Sequence, residues 1–246
     1  MKIGFSITAR MKSTRLPLKV LRLINGKPMI DHLIERIKTT RGVDKVIMCT
    51  STNPQDEILV DYAQREEICW FRGSENDVLK RLYHAARKFD IDFLLSTTAD
   101  NPLTDPVFAH KMIEKYNNTG ADFITALDLP IGTFSYGIKV DAIQHVLNEK
   151  KKEDTEIWGH YFYNSDEYIK EKIEVDNNLK KPYRLTVDNP EDLEVIRRIY
   201  MHFQNMERDD LFNVYDIVSF LDNRPDIVSI NSNISQKFND EEENIL

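Results

Sequence analysis

Short apolar runs alternate with segments of helical period along the first hundred residues, and this alternation restricts the architecture more than any single motif does. Ile3, Phe5 and Ile7, separated by small residues, read as a buried strand. Over residues 28–41 the apolar positions Ile30, Leu33, Ile34 and Ile37 recur at the helical period. Pro28 suits the opening turn, where its missing N–H is not needed. Residues 46–49 read as a second strand, 56–64 as a second helix and 67–71 as a brief third strand. Residues 74–77 carry a helix N-terminal signature, after which Val78, Leu79, Leu82, Tyr83, Ala86 and Phe89 share one face. Residues 93–98 are the most strongly apolar strand of the middle region. This order predicts an α/β fold, a mostly parallel mixed sheet with helices on both faces.

Beyond Asp122 the pattern loosens. Strands are expected at 123–127, 136–140, 172–175 and 184–187, and helices at 142–151, 190–203 and 214–221. With 246 residues, 41% of them apolar, and no repeat or low-complexity linker, one domain over residues 1–230 is expected. Residues 231–246, rich in Asn, Ser and acidic groups, are expected to form a loosely packed polar tail.

Asp and Glu total 41 against 33 Lys and Arg, a formal charge of −8, which argues against a nucleic-acid partner. No run approaches the ~18 apolar residues that read as a membrane span, and the chain enters a strand at once, so no membrane partner and a cytoplasmic location are expected. Cys49 and Cys69 lack metal-ligand spacing and read as reduced structural residues. His32, His84, His110, His145 and His202 fall within predicted helices and show no ligand spacing.

Against this acidic background, Arg10, Lys12, Arg15 and Lys19 crowd the loop behind the first strand. Ligands of open α/β sheets bind at the carboxyl ends of strands, so the cluster reads as a phosphate seat, or else as a solvated basic loop. Further on, Arg72-Gly73-Ser74 leads into a helix, whose first N–H groups either face an anion or are simply capped. Thr97-Thr98-Ala99-Asp100-Asn101-Pro102 and Arg184-Leu185-Thr186-Val187-Asp188-Asn189-Pro190 each place an aspartate directly behind a predicted strand. Either aspartate alone serves equally as a turn cap. Together, beside phosphates, Asp100 and Asp188 make a Mg²⁺ site, because that ion takes one or two carboxylates plus substrate oxygens and water.

Taken in order, ITARMKSTRLPLKVL, GKPMIDHLIERI, RGSENDVLKRL, TADNPLTDP and RLTVDNPEDLEVIR resemble the motifs of the cytidylyltransferases that activate acidic sugars. These include 3-deoxy-manno-octulosonate and acylneuraminate cytidylyltransferases, and the resemblance is strongest to the spore coat polysaccharide biosynthesis protein F branch. It implies a nucleotide-diphospho-sugar transferase (Rossmann-like) fold, CTP in the first loop, Mg²⁺ on Asp100 and Asp188, triphosphate contacts from Arg10 and Lys19, and a homodimer. The nucleotide is then expected along Thr8, Ala9, Arg10, Ser13, Arg15 and Lys19, with Arg72 and Ser74 from the second loop and Thr98 and Ala99 from the third.

The chain departs from the family at Thr8, where Pro is usual, and at Leu18, where Gly lets backbone approach phosphate without a Cβ. In the sugar half the usual Asp-Gly-Leu-Asp segment and Arg-Glu-His run are replaced by residues 130–137 and 155–160. Ser135, Tyr136, Glu156, Trp158 and His160 are the expected sugar contacts, although aromatic residues at such spacing are also common in cores. The expected reaction transfers CMP from CTP to a small sugar, an acidic keto-sugar or related glycan precursor, and releases pyrophosphate. A sugar 1-phosphate or other phosphorylated acceptor, and a non-catalytic nucleotide-binding module, are the alternatives.

Overall fold

The computed structural model describes residues 1–13, 15–206 and 212–234. Along the chain run β1 (Ile3–Thr8), β2 (Leu23–Ile24), β3 (Lys27–Pro28), α1 (Met29–Lys38), β4 (Lys45–Ser51), α2 (Glu57–Arg65), β5 (Cys69–Gly73) and α3 (Val78–Lys88). There follow β6 (Phe93–Thr98), α4 (Pro106–Thr119), β7 (Phe123–Thr125), β8 (Tyr136–Lys139), α5 (Val140–Glu149), α6 (His160–Tyr163), β9 (Lys170–Lys172), α7 (Pro190–Asn205), α8 (Val214–Asp222) and α9 (Pro225–Val228).

Seven strands form one sheet in the order β5-β4-β1-β6-β8-β7-β9. β5, β4, β1 and β6 are parallel, β8 runs opposite to both its neighbours, and β9 is parallel to β7. The central strands of the sheet are buried on both faces. Ile3, Phe5 and Ile7 of β1 join a core with α1, α4 and α7, while Ile47 and Cys49 of β4 join another with α3 and α5. Double burial explains why the parallel strands read as apolar runs. It also pushes the Cys49 thiol up to about 12, keeping it protonated and inert.

A short hairpin, β2–β3, turns at Asn25-Gly26, both at positive φ, the geometry that suits the twist of a two-residue β-turn. The hairpin delivers the chain from the cationic loop into α1.

Residues 184–187, expected as a strand, make no ladder. Leu185 and Val187 are buried as alternation predicts, but the backbone bonds to loops instead. Arg184 bridges Ile131, the Leu185 N–H donates to the Ile131 carbonyl at 2.8 Å, and the Val187 N–H donates to the Asp100 carbonyl at 2.8 Å. Gly132 permits this approach: at φ 92, a Cβ there would lie 2.4 Å from the Leu185 carbonyl carbon. The strand expected at 172–175 is β9, shifted toward the N-terminus, because its partner β7 ends at Thr125. One further bond, from Ile173 N–H to the Thr125 carbonyl at 2.8 Å, closes that pairing.

Asn231, the first residue of the expected tail, is buried and donates to the Arg184 carbonyl and to Asp192 Oδ1, both at 2.9 Å. Residues 235–246 of that tail lie outside the described residues.

Candidate active site

β1 and β6 are adjacent and parallel, with Thr8 beside Thr98, so the loops that follow them open at one edge of the sheet. The Ala99 N–H donates to the Thr8 carbonyl at 2.9 Å, and the Val187 bond to Asp100 brings the third segment alongside. Backbone hydrogen bonds thus gather three distant stretches before any side chain acts.

At their meeting point Lys19 Nζ lies 2.8 Å from Asp100 Oδ2 and 3.0 Å from Asp188 Oδ1. Arg15 reaches the same Asp188 oxygen at 3.0 Å. Each aspartate is oriented through its other oxygen: the Thr98 hydroxyl donates to Asp100 Oδ1, and Arg184 Nη2 donates to Asp188 Oδ2 at 3.0 Å. Arg184 is fixed in turn by the buried Asp192, which accepts from its Nε and from the Asp188 and Asn189 N–H groups, each at 2.9 Å.

Electrostatics favour the charged forms of Lys19 and Asp188. Burial alone would lower the Lys19 pKa, but the Asp100 and Asp188 carboxylates outweigh it and hold the ammonium above its ordinary value. For Asp188 burial acts upward, and Lys19, Arg15 and Arg184 outweigh it, holding the carboxyl below the usual range.

Arg10, from the same loop, is engaged elsewhere, by Glu156 and the second loop. Its guanidinium pairs with Glu156 at 3.1 Å and donates to the Glu75 carbonyl at 3.2 Å. The loop itself is anchored from below: buried Asp56 accepts the Met11 N–H at 2.7 Å and the Ser51 hydroxyl at 2.5 Å. Lys12 is exposed, Ser13 half-buried, and Ala9 buried with its N–H on the Cys49 carbonyl at 3.2 Å. The Thr8 hydroxyl is buried and has no hydrogen-bond partner among the described residues.

The second loop contributes differently. Arg72 is engaged by the loop behind β4, donating to the Ser51 and Asn53 carbonyls at 2.9 Å each and pairing with Glu57. Ser74 accepts the Asp77 N–H at 3.1 Å, as a helix-entry residue does. Its carbonyl accepts from Arg81, a fully buried guanidinium whose Nε and Nη2 have no hydrogen-bond partner among the described residues and whose pKa burial lowers.

Toward the far end of the sheet, most residues expected at the sugar pack inward. Ser135 is buried and its hydroxyl donates to the Met112 sulfur at 3.6 Å. Trp158, 8% exposed, packs edge-on to Tyr136, Phe123 and Phe162. Half-buried Tyr136 stacks on Phe123. His160 opens onto a groove of about 370 Å³ bordered by Glu149, Lys152 and Tyr168, whose lining includes none of Arg10, Lys19, Asp100 and Asp188. Glu156 is the residue of this set paired with a cation of the first loop, Arg10.

Three further residues shape the site without standing out in the sequence. Arg184 and Asp192 sit in a stretch that also spells a strand and a capping box, and the box is indeed formed. Asp56 follows Asn53-Pro54 in an ordinary helix-entry pattern. Their spacing announces local structure, and only the fold turns it toward the site.

Two carboxylates facing one cation also suit an ion that takes few protein ligands and completes its shell with phosphate oxygens and water.

The cytidylyltransferase family model matches residues 5–217. An uncharacterized protein of Methanocaldococcus jannaschii is 33% identical over 242 residues, covering 96% of this chain and 97% of the relative. Spore coat polysaccharide biosynthesis protein SpsF of Bacillus subtilis is 30% identical over 232 residues, covering 91% and 95%. A solved cytidylyltransferase structure from Leptospira borgpetersenii superposes with a TM-score of 0.86 at 25% identity, over 96% of this chain and 100% of that one. The match runs from β1 into α8 and takes in each loop that builds the ion cluster, so the chain belongs to the cytidylyltransferase family of nucleotidyltransferases.

Proposed function

We propose that this enzyme transfers CMP from CTP to an oxygen of a small sugar and releases pyrophosphate. The observation that carries the reading is the single ammonium of Lys19 shared by Asp100 and Asp188, with Arg15 on the same carboxylate. Charge of both signs, concentrated where two parallel strands end, matches what phosphoryl-group transfer demands: positioning, and neutralisation of charge on phosphate oxygens.

In this reading Arg10, Arg15 and Lys19 hold the β- and γ-phosphates. An acceptor hydroxyl oxygen attacks the α-phosphorus, the bond from that phosphorus to the pyrophosphate oxygen breaks, and the hydroxyl proton leaves to solvent. Lys19 and Arg15 then carry the charge that builds on the leaving group. Asp100 and Asp188 would hold Mg²⁺, which supplies charge neutralisation at the α-phosphate when bound. Thr98 and Arg184 keep both carboxylates aimed. A surface-glycan sugar as acceptor is supported by the spore coat polysaccharide role in the name of the Bacillus relative, and the acidic keto type is the proposal that the sugar panel below tests. A cytoplasmic location and a homodimer complete the proposal, the latter testable by light scattering.

Pyrophosphate release, measured with each of the four nucleoside triphosphates, Mg²⁺ and a panel of acidic and phosphorylated sugars, tests the reading. Release with CTP and an unphosphorylated acidic sugar is expected. Release restricted to phosphorylated acceptors would move the attack to a phosphate oxygen, and tight CTP binding without turnover would make the protein a binding module.

A further inference from the structure

We infer that Lys19 is a placeholder cation: in the nucleotide-free protein its ammonium fills the position between Asp100 and Asp188 that a divalent ion takes only after a triphosphate has drawn the lysine away. The inference rests on the metal reading above and concerns when, not whether, the ion enters. It follows from which oxygens are occupied. Asp100 Oδ1 and Asp188 Oδ2 are used by Thr98 and Arg184, so Asp100 Oδ2 and Asp188 Oδ1 are the inner pair, and Lys19 Nζ bonds both. An ion joining the two carboxylates through these oxygens competes directly with that ammonium.

The local charge balance points the same way. Arg184 is already matched by the buried Asp192, so Asp100 and Asp188 are balanced by Lys19 and Arg15, and the Lys19 side chain is only 16% exposed, so water screens this group poorly. A doubly charged ion entering that neighbourhood finds no net negative charge to attract it while Lys19 and Arg15 stay in place. A triphosphate changes that balance: its oxygens compete for Lys19 and Arg15, and as those side chains turn to it the inner oxygens are freed beside fresh phosphate ligands. Lys19 thereby links two events, since the contact that grips the nucleotide is the one that opens the metal site.

The experiment titrates Mn²⁺ into the full-length protein and reads free Mn²⁺ from its electron paramagnetic resonance signal, without nucleotide and with α,β-methylene CTP, corrected for Mn²⁺ held by the analogue alone. The wild type should bind Mn²⁺ weakly when nucleotide-free and at least ~10-fold more tightly with the analogue. Lys19→Met should tighten nucleotide-free binding by ~10-fold or more by removing one like charge, and adding Asp100→Asn should abolish that gain. Equal Mn²⁺ affinity of the wild type with and without the analogue overturns the placeholder role, as does a folded Lys19→Met variant with unchanged affinity. Should that variant not fold, the wild-type comparison decides alone. No protein-dependent Mn²⁺ binding even with the analogue would instead overturn the metal reading itself.

Discussion

At the β1–β6 edge, polar side chains from three distant segments face one another, whereas at the β7–β8–β9 end the side chains expected to meet a sugar mostly face the core. Lys19, Asp100 and Asp188 share one contact, but Ser135 and Trp158 are buried among apolar neighbours. The first region is assembled by backbone bonds between loops and finished by charge. The second is assembled by aromatic packing, which draws in the same residue types a sugar would use. The contrast teaches that a polar or aromatic residue near a site gains a role only when neighbouring segments have no hydrophobic use for it.

The largest effect should come from the packed region. Trp158→Ala is expected to lower unfolding free energy by ~3–5 kcal/mol, as loss of a buried large aromatic does, while leaving the nucleotide constant of the remaining folded enzyme near normal. Denaturant titration checks it, and a rise in acceptor KM without loss of stability would break the contrast. Asp100→Ala should cut turnover by at least ~10²-fold in steady-state kinetics without changing the circular dichroism spectrum, the scale seen when one transition-state charge stabiliser is removed. Near-normal turnover would remove the ion cluster from the chemistry.

Stability against pH sharpens the same comparison. The Asp188 carboxyl is held below its ordinary value of 3.8, so its contribution is complete above that pH and lost as pH falls through the lower, folded value. Lys19 is held above 10.5, so its contribution is complete below that pH and lost as pH climbs past the higher, folded value. The melting-temperature gap between the wild type and Asp188→Asn should therefore be constant from about pH 5 to 9 and close in strong acid. A gap that opens in acid would contradict the assigned partners.

Smaller effects are expected at the pair that Glu156 makes with the first loop. Glu156→Gln frees Arg10 from an exposed partner and should lower the apparent nucleotide constant by ~2–5-fold, the scale of a surface ion pair. A higher constant would show that Glu156 aims Arg10 and does not compete for it. Smallest of all, Leu18→Gly should raise stability by at most ~1 kcal/mol, because Leu18 sits at φ 55, ψ 32, a conformation that disfavours a Cβ. Thermal melting reads the change.

The parallel half of the sheet was legible because burial on both faces leaves continuous apolar runs, and β6 ends at Thr98 as those runs predict. The aspartate positions were legible for a related reason, since each follows the last buried residue of its segment. Residues 184–187 misled because Leu185 and Val187 alternate identically whether the backbone bonds to a strand or to loops at Ile131 and Asp100. The engagement of Arg72 by the Ser51 and Asn53 carbonyls was not legible at all, since nothing local to an arginine tells which of several loop carbonyls lies within reach. Asp192 was similarly disguised, its capping role satisfying the pattern completely while concealing its hold on Arg184.

The near-contact between Gly132 and the Leu185 backbone carries a consequence for how such an enzyme can diversify. The stretch most open to remodelling for a new acceptor is stitched, at a spot with no room for even a methyl group, to the stretch that presents Asp188. A transplanted acceptor loop lacking glycine at this seam would pry the aspartate from its cationic neighbours, so inheritance of a new sugar preference must proceed around that one position and not through it.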